Sequence, residues 1–216
     1  MKTKLWMTRT EPAASRSAQA WAEAGFDVII APLLNVMAVE RPADVPDQAV
    51  LIFTSANGVR HSGVTADDRL IYCVGDATAR EALAHGFTSV VSADGDWRRL
   101  VETIRPTENP IIHLSGEIVR GEIVQTLQRR GMNATRQTVY RTVPQSVWPT
   151  DVNAVDAVAL YSPLAAETLM ALPARHLGHL SAYCLSSNVS APLRGIDMRI
   201  AAQPNERALI ACSQTS

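Results

Sequence analysis

A chain of 216 residues with 47% hydrophobic residues can bury one large core or two smaller ones. Its formal net charge of −1 excludes the broad basic surface with which a general nucleic-acid or anionic-membrane binder displaces counterions. No apolar run has the length of a membrane span or of a signal-peptide core, and the three cysteines lack CxxC spacing, so a cytoplasmic protein with reduced thiols is expected.

In chain order, apolar runs of strand length alternate with stretches of helical period. Strands are predicted at 5–8, 28–31, 50–54, 71–74, 89–92, 111–114, 138–141, 157–161, 181–185 and 199–202. Helices are predicted between them at 13–24, 77–85, 97–104, 120–130, 164–171 and 206–212. This alternation calls for mostly parallel sheets covered by helices on both faces, the α/β class. Residues 32–42 (PLLNVMAVERP) and 138–144 (TVYRTVP) alternate apolar and polar side chains and end at proline, which reads as a pair of extended connectors.

The chain also repeats itself. AVLIFTSANGV from Ala49 aligns with DAVALYSPLAA from Asp156, each a strand that ends at a serine, Ser55 or Ser162, before a helix. LIYCVGDATAREALAHG from Leu70 aligns with LSAYCLSSNVSAPLRG from Leu180, which makes Cys73 and Cys184 equivalent. VVSADGDWRRLV from Val90 aligns with RIAAQPNERALI from Arg199. LWMTRTEP, a helix and EAGFDVIIAPL pair in the same way with IIHLSGEI, a helix and RRGMNATRQTVY. A unit duplicated over roughly 1–105 and 110–213 predicts two similar domains with a ligand cleft between them.

Several chemistries are excluded by what is missing. There is no GxGxxG after a strand and no GxxxxGK[ST], so the usual dinucleotide and P-loop cradles are absent, which counts against a nucleotide- or S-adenosylmethionine-dependent transferase. Lysine occurs only at Lys2 and Lys4, which leaves no loop lysine for a Schiff base, and Asp67 and Asp68 read as a solvated turn. No GxSxG elbow is present. His176 and His179 lack further ligands in sequence, so no metal is expected. Cys73 and Cys184 sit inside apolar runs and read as packed thiols.

What recurs is a strand, then small polar residues, then a helix: Thr8-Arg9-Thr10, Thr54-Ser55-Ala56-Asn57-Gly58, Gly75-Asp76-Ala77-Thr78, Leu114-Ser115-Gly116, Ser162-Pro163 and Ser186-Ser187-Asn188. In a doubly wound sheet such junctions share the carboxyl edge of the strands, where helix N-termini present N–H groups to anions. Any one of these hydroxyls also reads simply as a helix N-cap. Their recurrence in both halves makes Arg9, Ser55, Asn57, Thr78, Ser115, Gly116, Ser162 and Ser187 the candidate residues for holding carboxylates.

TSANGV at 54–59, VGDATAREALAHGF at 74–87, the stretch from Gly116 to Arg120 leading into LQRRG, VYRT at 139–142 and LYSPLAAETL at 160–169 together resemble the motif series of the uroporphyrinogen-III synthase family, in order and over nearly the whole chain. The resemblance implies two flavodoxin-like domains on a two-stranded connector, the first built from both chain ends (1–34 plus 143–216) and the second inserted (38–140). It also implies cyclisation of the linear tetrapyrrole hydroxymethylbilane to uroporphyrinogen III with inversion of ring D, without cofactor. On the family's pattern Tyr140 of VYRT assists departure of the hydroxyl, and Ser55, Thr78, Ser162 and Ser187 line the cleft; Arg9 either counters a carboxylate or supports the first helix from the surface. The last third departs from that pattern: Leu185-Ser186-Ser187-Asn188 stands where the family often has Gly-x-Thr, and Pro192 shortens the helix that follows. A monomer is expected, with contact to the upstream hydroxymethylbilane synthase left open. The alternative is a two-domain small-molecule binding or sensor module without catalysis, which the duplicated architecture would serve equally well.

Overall fold

The computed structural model describes residues 2–39, 45–119, 121–146, 148–149, 154–173 and 177–214. The elements in chain order are β1 (Lys4–Met7), α1 (Ala13–Glu23), β2 (Asp27–Ile30), β3 (Leu34–Ala38), β4 (Val50–Phe53), α2 (Ala56–Arg60), β5 (Leu70–Cys73), α3 (Asp76–Ala84), β6 (Ser89–Ser92), α4 (Trp97–Thr103) and β7 (Ile111–Gly116). They continue with α5 (Ile123–Arg129), β8 (Ala134–Pro144), β9 (Ala157–Leu160), α6 (Pro163–Ala171), β10 (Ser181–Cys184), α7 (Ser187–Ser190), β11 (Asp197–Ile200) and α8 (Glu206–Ser213). By compactness the chain divides into one unit of residues 1–35 with 143–216 and another of residues 36–142.

The first unit holds a parallel sheet of order β2-β1-β9-β10-β11. Counted along that unit's own strands this is 2-1-3-4-5, the flavodoxin-like order. The second unit's sheet runs β3-β8-β7-β4-β5-β6. Here β8-β7-β4-β5-β6 is parallel and repeats the same order when β7 is counted first and β8 second. The two units are the same arrangement with the chain entering at a different strand. The internal alignment of the sequence maps β4 on β9, β5 on β10, β6 on β11 and β7 on β1, and these strands occupy matching places in the two sheets.

Burial follows strand position. The central strands β4, β7 and β9 are buried at every residue, whereas the edge strands β2, β6 and β11 contain none that is fully buried. Because successive side chains alternate across a sheet, each unit has one core on each face. In the first, Trp6, Val158, Leu160 and Cys184 pack on one side and Leu5, Met7, Ala157 and Ala159 on the other. In the second, Leu51, Phe53, Ile112 and Leu114 lie opposite Val50, Ile52 and Ile111. Burial pushes the Cys73 and Cys184 thiols up to about 12, consistent with packed, unreactive sulfur.

Some elements differ from the sequence-based expectation. β8 starts at Ala134 rather than 138, because the exposed Thr135 and Arg136 hide the alternation of its first half. The predicted helix 120–130 starts at Ile123; Arg120 lies outside the described residues, and Gly121 has φ +84°, which no helix accommodates. β7 extends through Ser115 and Gly116, which read as a junction. The connector expected at 32–42 is β3 from Leu34 to Ala38, and its residues 40–42 lie outside the described ones. Helices α2 and α7 have five and four residues, and Pro192 follows the end of α7.

Helix α2 lies hard against the sheet through Gly58: a Cβ there would stand 2.8 Å from the Leu114 carbonyl oxygen and 3.3 Å from Phe53 Cδ1. Gly58→Ala should therefore destabilise the fold by about 1–3 kcal/mol through overpacking. A urea titration checks this, and an unchanged midpoint at unchanged slope would mean that α2 is free to lift from β7.

Candidate functional site

In a parallel sheet every strand delivers its carboxyl end to the same edge, and a crevice opens where neighbouring strands connect in opposite directions. That point falls between β1 and β9 in the first unit and between β7 and β4 in the second.

In the first unit, β1 runs into Thr8 and Arg9. The buried Thr8 hydroxyl donates to the Ala159 carbonyl at 2.7 Å and ties the two central strands together at their ends. Arg9 Nη1 donates to Ser17 Oγ at 2.8 Å, and its guanidinium carbon lies 4.3 Å from the centre of the Tyr161 ring. Tyr161 in turn donates to Glu206 Oε1 at 2.6 Å and accepts from Trp21 Nε1 at 2.9 Å. Burial, reinforced by the bond to Glu206, holds the Tyr161 phenol well above its ordinary range, so it stays a donor. Glu206 Oε2 is 4.0 Å from Arg9 Nη1, so this cation is oriented but only loosely paired. Ser162 caps α6, accepting from the Ala165 N–H at 3.2 Å, and Ser187 is exposed at the start of α7.

In the second unit, Ser55 caps α2 by accepting from the Asn57 N–H at 3.1 Å. Asn57 Oδ1 accepts from Arg60 Nη1 at 3.0 Å, and Arg60 is also paired with both carboxylate oxygens of Glu81. Thr78 lies in the first turn of α3 and is buried, as is Ser115, whose hydroxyl donates to its neighbour's carbonyl and accepts from Arg136 Nε at 2.9 Å. Tyr140 projects from β8 onto Gly116; a Cβ on that glycine would come within 2.7–2.9 Å of the tyrosine ring and its oxygen. The His61 ring is centred 6.1 Å from that of Tyr140, and burial, with Arg60 beside it, lowers its basicity.

Each unit thus gathers its own candidates along one edge. Arg9, Ser162 and Ser187 follow β1, β9 and β10, and Ser115, Ser55 and Thr78 stand at the ends of their counterparts β7, β4 and β5. Asn57 and Gly116 join the second set, and Tyr140 extends it by one strand.

Sequence reasoning missed the side chains that hold these candidates, Tyr161, Glu206 and Arg136, and it missed the buried His113 beside them. His113 is 3% exposed, with Nε2 3.1 Å from Thr54 Oγ1. Its sequence signal was available in the duplication, because the aligned residue in β1 is the buried Met7, and a polar residue in an apolar slot marks a special environment. No group of three or more His, Cys, Asp or Glu residues able to hold a metal occurs among the described residues. Of the HLGH pair, His176 lies outside them, and His179 Nε2 sits 3.2 Å from the Val155 carbonyl. No described helix is long and apolar enough to cross a membrane.

Two flavodoxin-like parallel sheets, each lining its switch point with hydroxyls and backbone rather than with a glycine-rich nucleotide loop, define a tandem α/β protein of one class. The chain belongs to the uroporphyrinogen-III synthase family, whose model, described as uroporphyrinogen-III synthase HemD, matches residues 15–211. Among solved structures, the fold is similar to a uroporphyrinogen-III synthetase from Helicobacter pylori, at 17% identity and a TM-score of 0.64, covering 99% of this chain and 98% of that one. It is also similar to a mutant uroporphyrinogen III synthase from Thermus thermophilus, at 16% identity and a TM-score of 0.50, covering 98% and 96% respectively. A comparison with curated proteins finds no match.

Burial first, and the Arg136 charge second, lower the His113 pKa from 6.5 to about 4, so the fold holds this ring neutral. The unfolded chain takes up the proton near the ordinary value. The associated stability is therefore complete above pH 6.5 and lost as the pH falls towards 4. Its full extent is on the order of 3 kcal/mol. Replacing His113 by the methionine of the matching position should flatten the stability curve in that window by up to one proton's slope. Denaturant melts at several pH values check it, and parallel curves for the two proteins would mean that His113 protonates equally in both states.

Proposed function

We propose that this protein catalyses ring closure of hydroxymethylbilane to uroporphyrinogen III, a cyclising lyase reaction with loss of water. The observation that carries the reading is the Tyr140 ring seated on Gly116 at a switch-point edge, in a chain of this family. In this reading loss of the hydroxyl gives an azafulvene cation, the substituted carbon of ring D attacks to form a spiro intermediate, and fragmentation with reclosure leaves ring D inverted. The bilane also closes unaided to the uninverted isomer. The protein's work is then to hold an open, flexible chain so that the less accessible carbon attacks, which is catalysis by orientation.

The substrate's carboxylates provide the handles. Arg9, Ser55, Asn57, Ser162, Ser187 and the Gly116 backbone are the groups proposed to receive them, and the buried Thr78 and Ser115 are proposed to support that edge from beneath. Arg9 suits this role because the Tyr161 ring and Ser17 orient its guanidinium while Glu206 leaves it only loosely paired. Tyr140 is proposed to donate its phenol proton in a hydrogen bond to the departing hydroxyl. The reaction as written needs one chain and no cofactor, and it belongs in the cytoplasm, where the three thiols remain reduced. We also propose that the protein acts as a monomer, with the two units 1–35 plus 143–216 and 36–142 as its domains.

The test is a coupled assay in which hydroxymethylbilane is generated in situ, the products are oxidised and the porphyrin isomers resolved. The wild-type protein should yield the III isomer. Tyr140→Phe keeps the ring and removes only the donor, so turnover should fall roughly 10- to 1,000-fold, at or below the usual contribution of one acid because the bilane ionises readily. Product that the variant closes should still be isomer III, while isomer I accumulates from the unassisted reaction at low enzyme. A full wild-type rate in Tyr140→Phe would remove Tyr140 from the mechanism, and isomer I alone with the wild-type protein would remove the synthase reading.

A further inference from the structure

The β7–β8 ladder is regular from Ile111 opposite Ala134 to Ser115 opposite Thr138, and then skips a residue so that Gly116 faces Tyr140. One extra residue on β8 at this point is a β-bulge, which breaks the ladder and re-aims the side chain beyond it. The side chain re-aimed here is Tyr140. A bulge costs ladder hydrogen bonds, and the acceptors it leaves need another partner.

Arg136 supplies that partner. Its Nη2 donates to the carbonyls of Gly116 at 2.7 Å and Glu117 at 2.6 Å, and to Thr138 Oγ1 at 3.3 Å, while Nε donates to Ser115 Oγ at 2.9 Å. From the other direction the Glu117 N–H donates to the Tyr140 carbonyl at 2.9 Å. The end of β7 is thus held from β8 both by the Arg136 guanidinium and by Tyr140's own backbone. The missing Cβ of Gly116 leaves the space that the tyrosine ring fills.

The first unit provides an internal control. Register places Ala134 beside Ile111 and Val28 beside Leu5, so with β7 matched to β1 the counterpart of Arg136 is Ile30. That position is an apolar, 37% exposed residue at the end of β2, where no tyrosine has to be aimed. The clamp occurs in the unit that carries Tyr140, and in its twin the matching position is Ile30, which has no guanidinium to form one.

We infer that Arg136 is a positioning residue, which fixes the bulged end of β7 so that the Tyr140 phenol stands over Gly116; the inference rests on the proposed role of Tyr140. Arg136 commits Nε and Nη2 to the protein's own hydroxyls and carbonyls, those of Ser115, Thr138, Gly116 and Glu117, and the inference assigns it to the chemical step rather than to substrate affinity. A lysine is a point cation without the planar fork that bridges two carbonyls, and it cannot replace the clamp.

The test is a double-mutant cycle in the coupled assay, with Arg136→Ala and Tyr140→Phe alone and combined. Arg136→Ala should lower kcat about 10-fold or more with KM within about 2-fold, and should change kcat little in the Tyr140→Phe background, because coupled residues are non-additive. A second readout does not depend on activity: with fluorotyrosine incorporated, the Tyr140 fluorine resonance, assigned by its loss in Tyr140→Phe, should shift in Arg136→Ala. If the alanine variant misfolds, Arg136→Lys serves in both measurements and should also be slow. A raised KM at unchanged kcat would make Arg136 a substrate ligand and overturn the inference, as would equal losses in both backgrounds or an unmoved resonance. A fast Arg136→Ala beside a slow Tyr140→Phe would sink this inference alone. A fast Tyr140→Phe would instead sink the catalytic reading, leaving the fluorine resonance to decide whether Arg136 places the ring.

Discussion

The pairing of β1 with β9 is the constraint on which the first unit depends. Leu5, Trp6 and Met7 lie in register with Ala157, Val158 and Ala159, and the pair is locked at one end by Lys4 and Asp156 and at the other by the Thr8 hydroxyl on Ala159. Together these strands form the centre of a sheet whose members come from both chain ends. The intervening residues 36–142 form a compact unit of their own. A folded insert adds little to the entropic cost of closing the surrounding chain, which grows only logarithmically even for a flexible loop. Only when β1 and β9 are neighbours do Arg9 and Ser162 share a switch-point edge.

The same plan occurs twice, but the two edges are differently furnished. Where the first unit has Met7, Tyr161 and Ile30, the second has His113, Thr54 and Arg136, each at the matching strand position. The first unit concentrates its charge in Arg9, oriented by Tyr161 and loosely countered by Glu206. The second sets the exposed Arg136 on the carbonyls of Gly116 and Glu117 at the end of β7, and keeps its buried histidine neutral. Duplication supplied two matching strand-end edges, and divergence at a handful of strand ends placed a tyrosine at one of them.

Much of this was legible in the sequence because strand and helix periods are local signals. The runs at 50–54, 71–74, 89–92 and 157–161 became β4, β5, β6 and β9 with at most one residue's difference at an end. The pairing of the duplicated segments was legible because equivalent strands keep equivalent burial. Which third of each repeat pairs with which sheet was not legible in the periodicity, since a strand, a helix and a strand have the same local pattern whichever sheet receives them; only the motif resemblance implied it. The first half of β8 was lost because Thr135 and Arg136 face solvent, and the bulge at Ser115 and Gly116 looked like a junction because small polar residues serve both purposes. His113 was passed over inside the apolar run IIHL, where period-based reading averages a single polar residue away.

The serines illustrate why a capping reading and a binding reading need not compete. Ser55 and Ser162 each accept a hydrogen bond from a backbone N–H of the helix they begin. A hydroxyl has two acceptor lone pairs and one donor. Capping occupies an acceptor site, fixes the side-chain rotamer and leaves the O–H as the donor, the polarity that a carboxylate requires. Each hydroxyl follows a central strand buried at every residue, β4 or β9, so its position is set by the core rather than by a loop. For a reaction governed by orientation this matters more than the strength of any one contact, because a flexible polyanion is held in one geometry only by donors that do not themselves move. In the proposed reading the fold meets that requirement with ordinary strand ends and helix caps, and reserves its less ordinary device, a bulge held by a guanidinium, for the one side chain that is proposed to touch the leaving group.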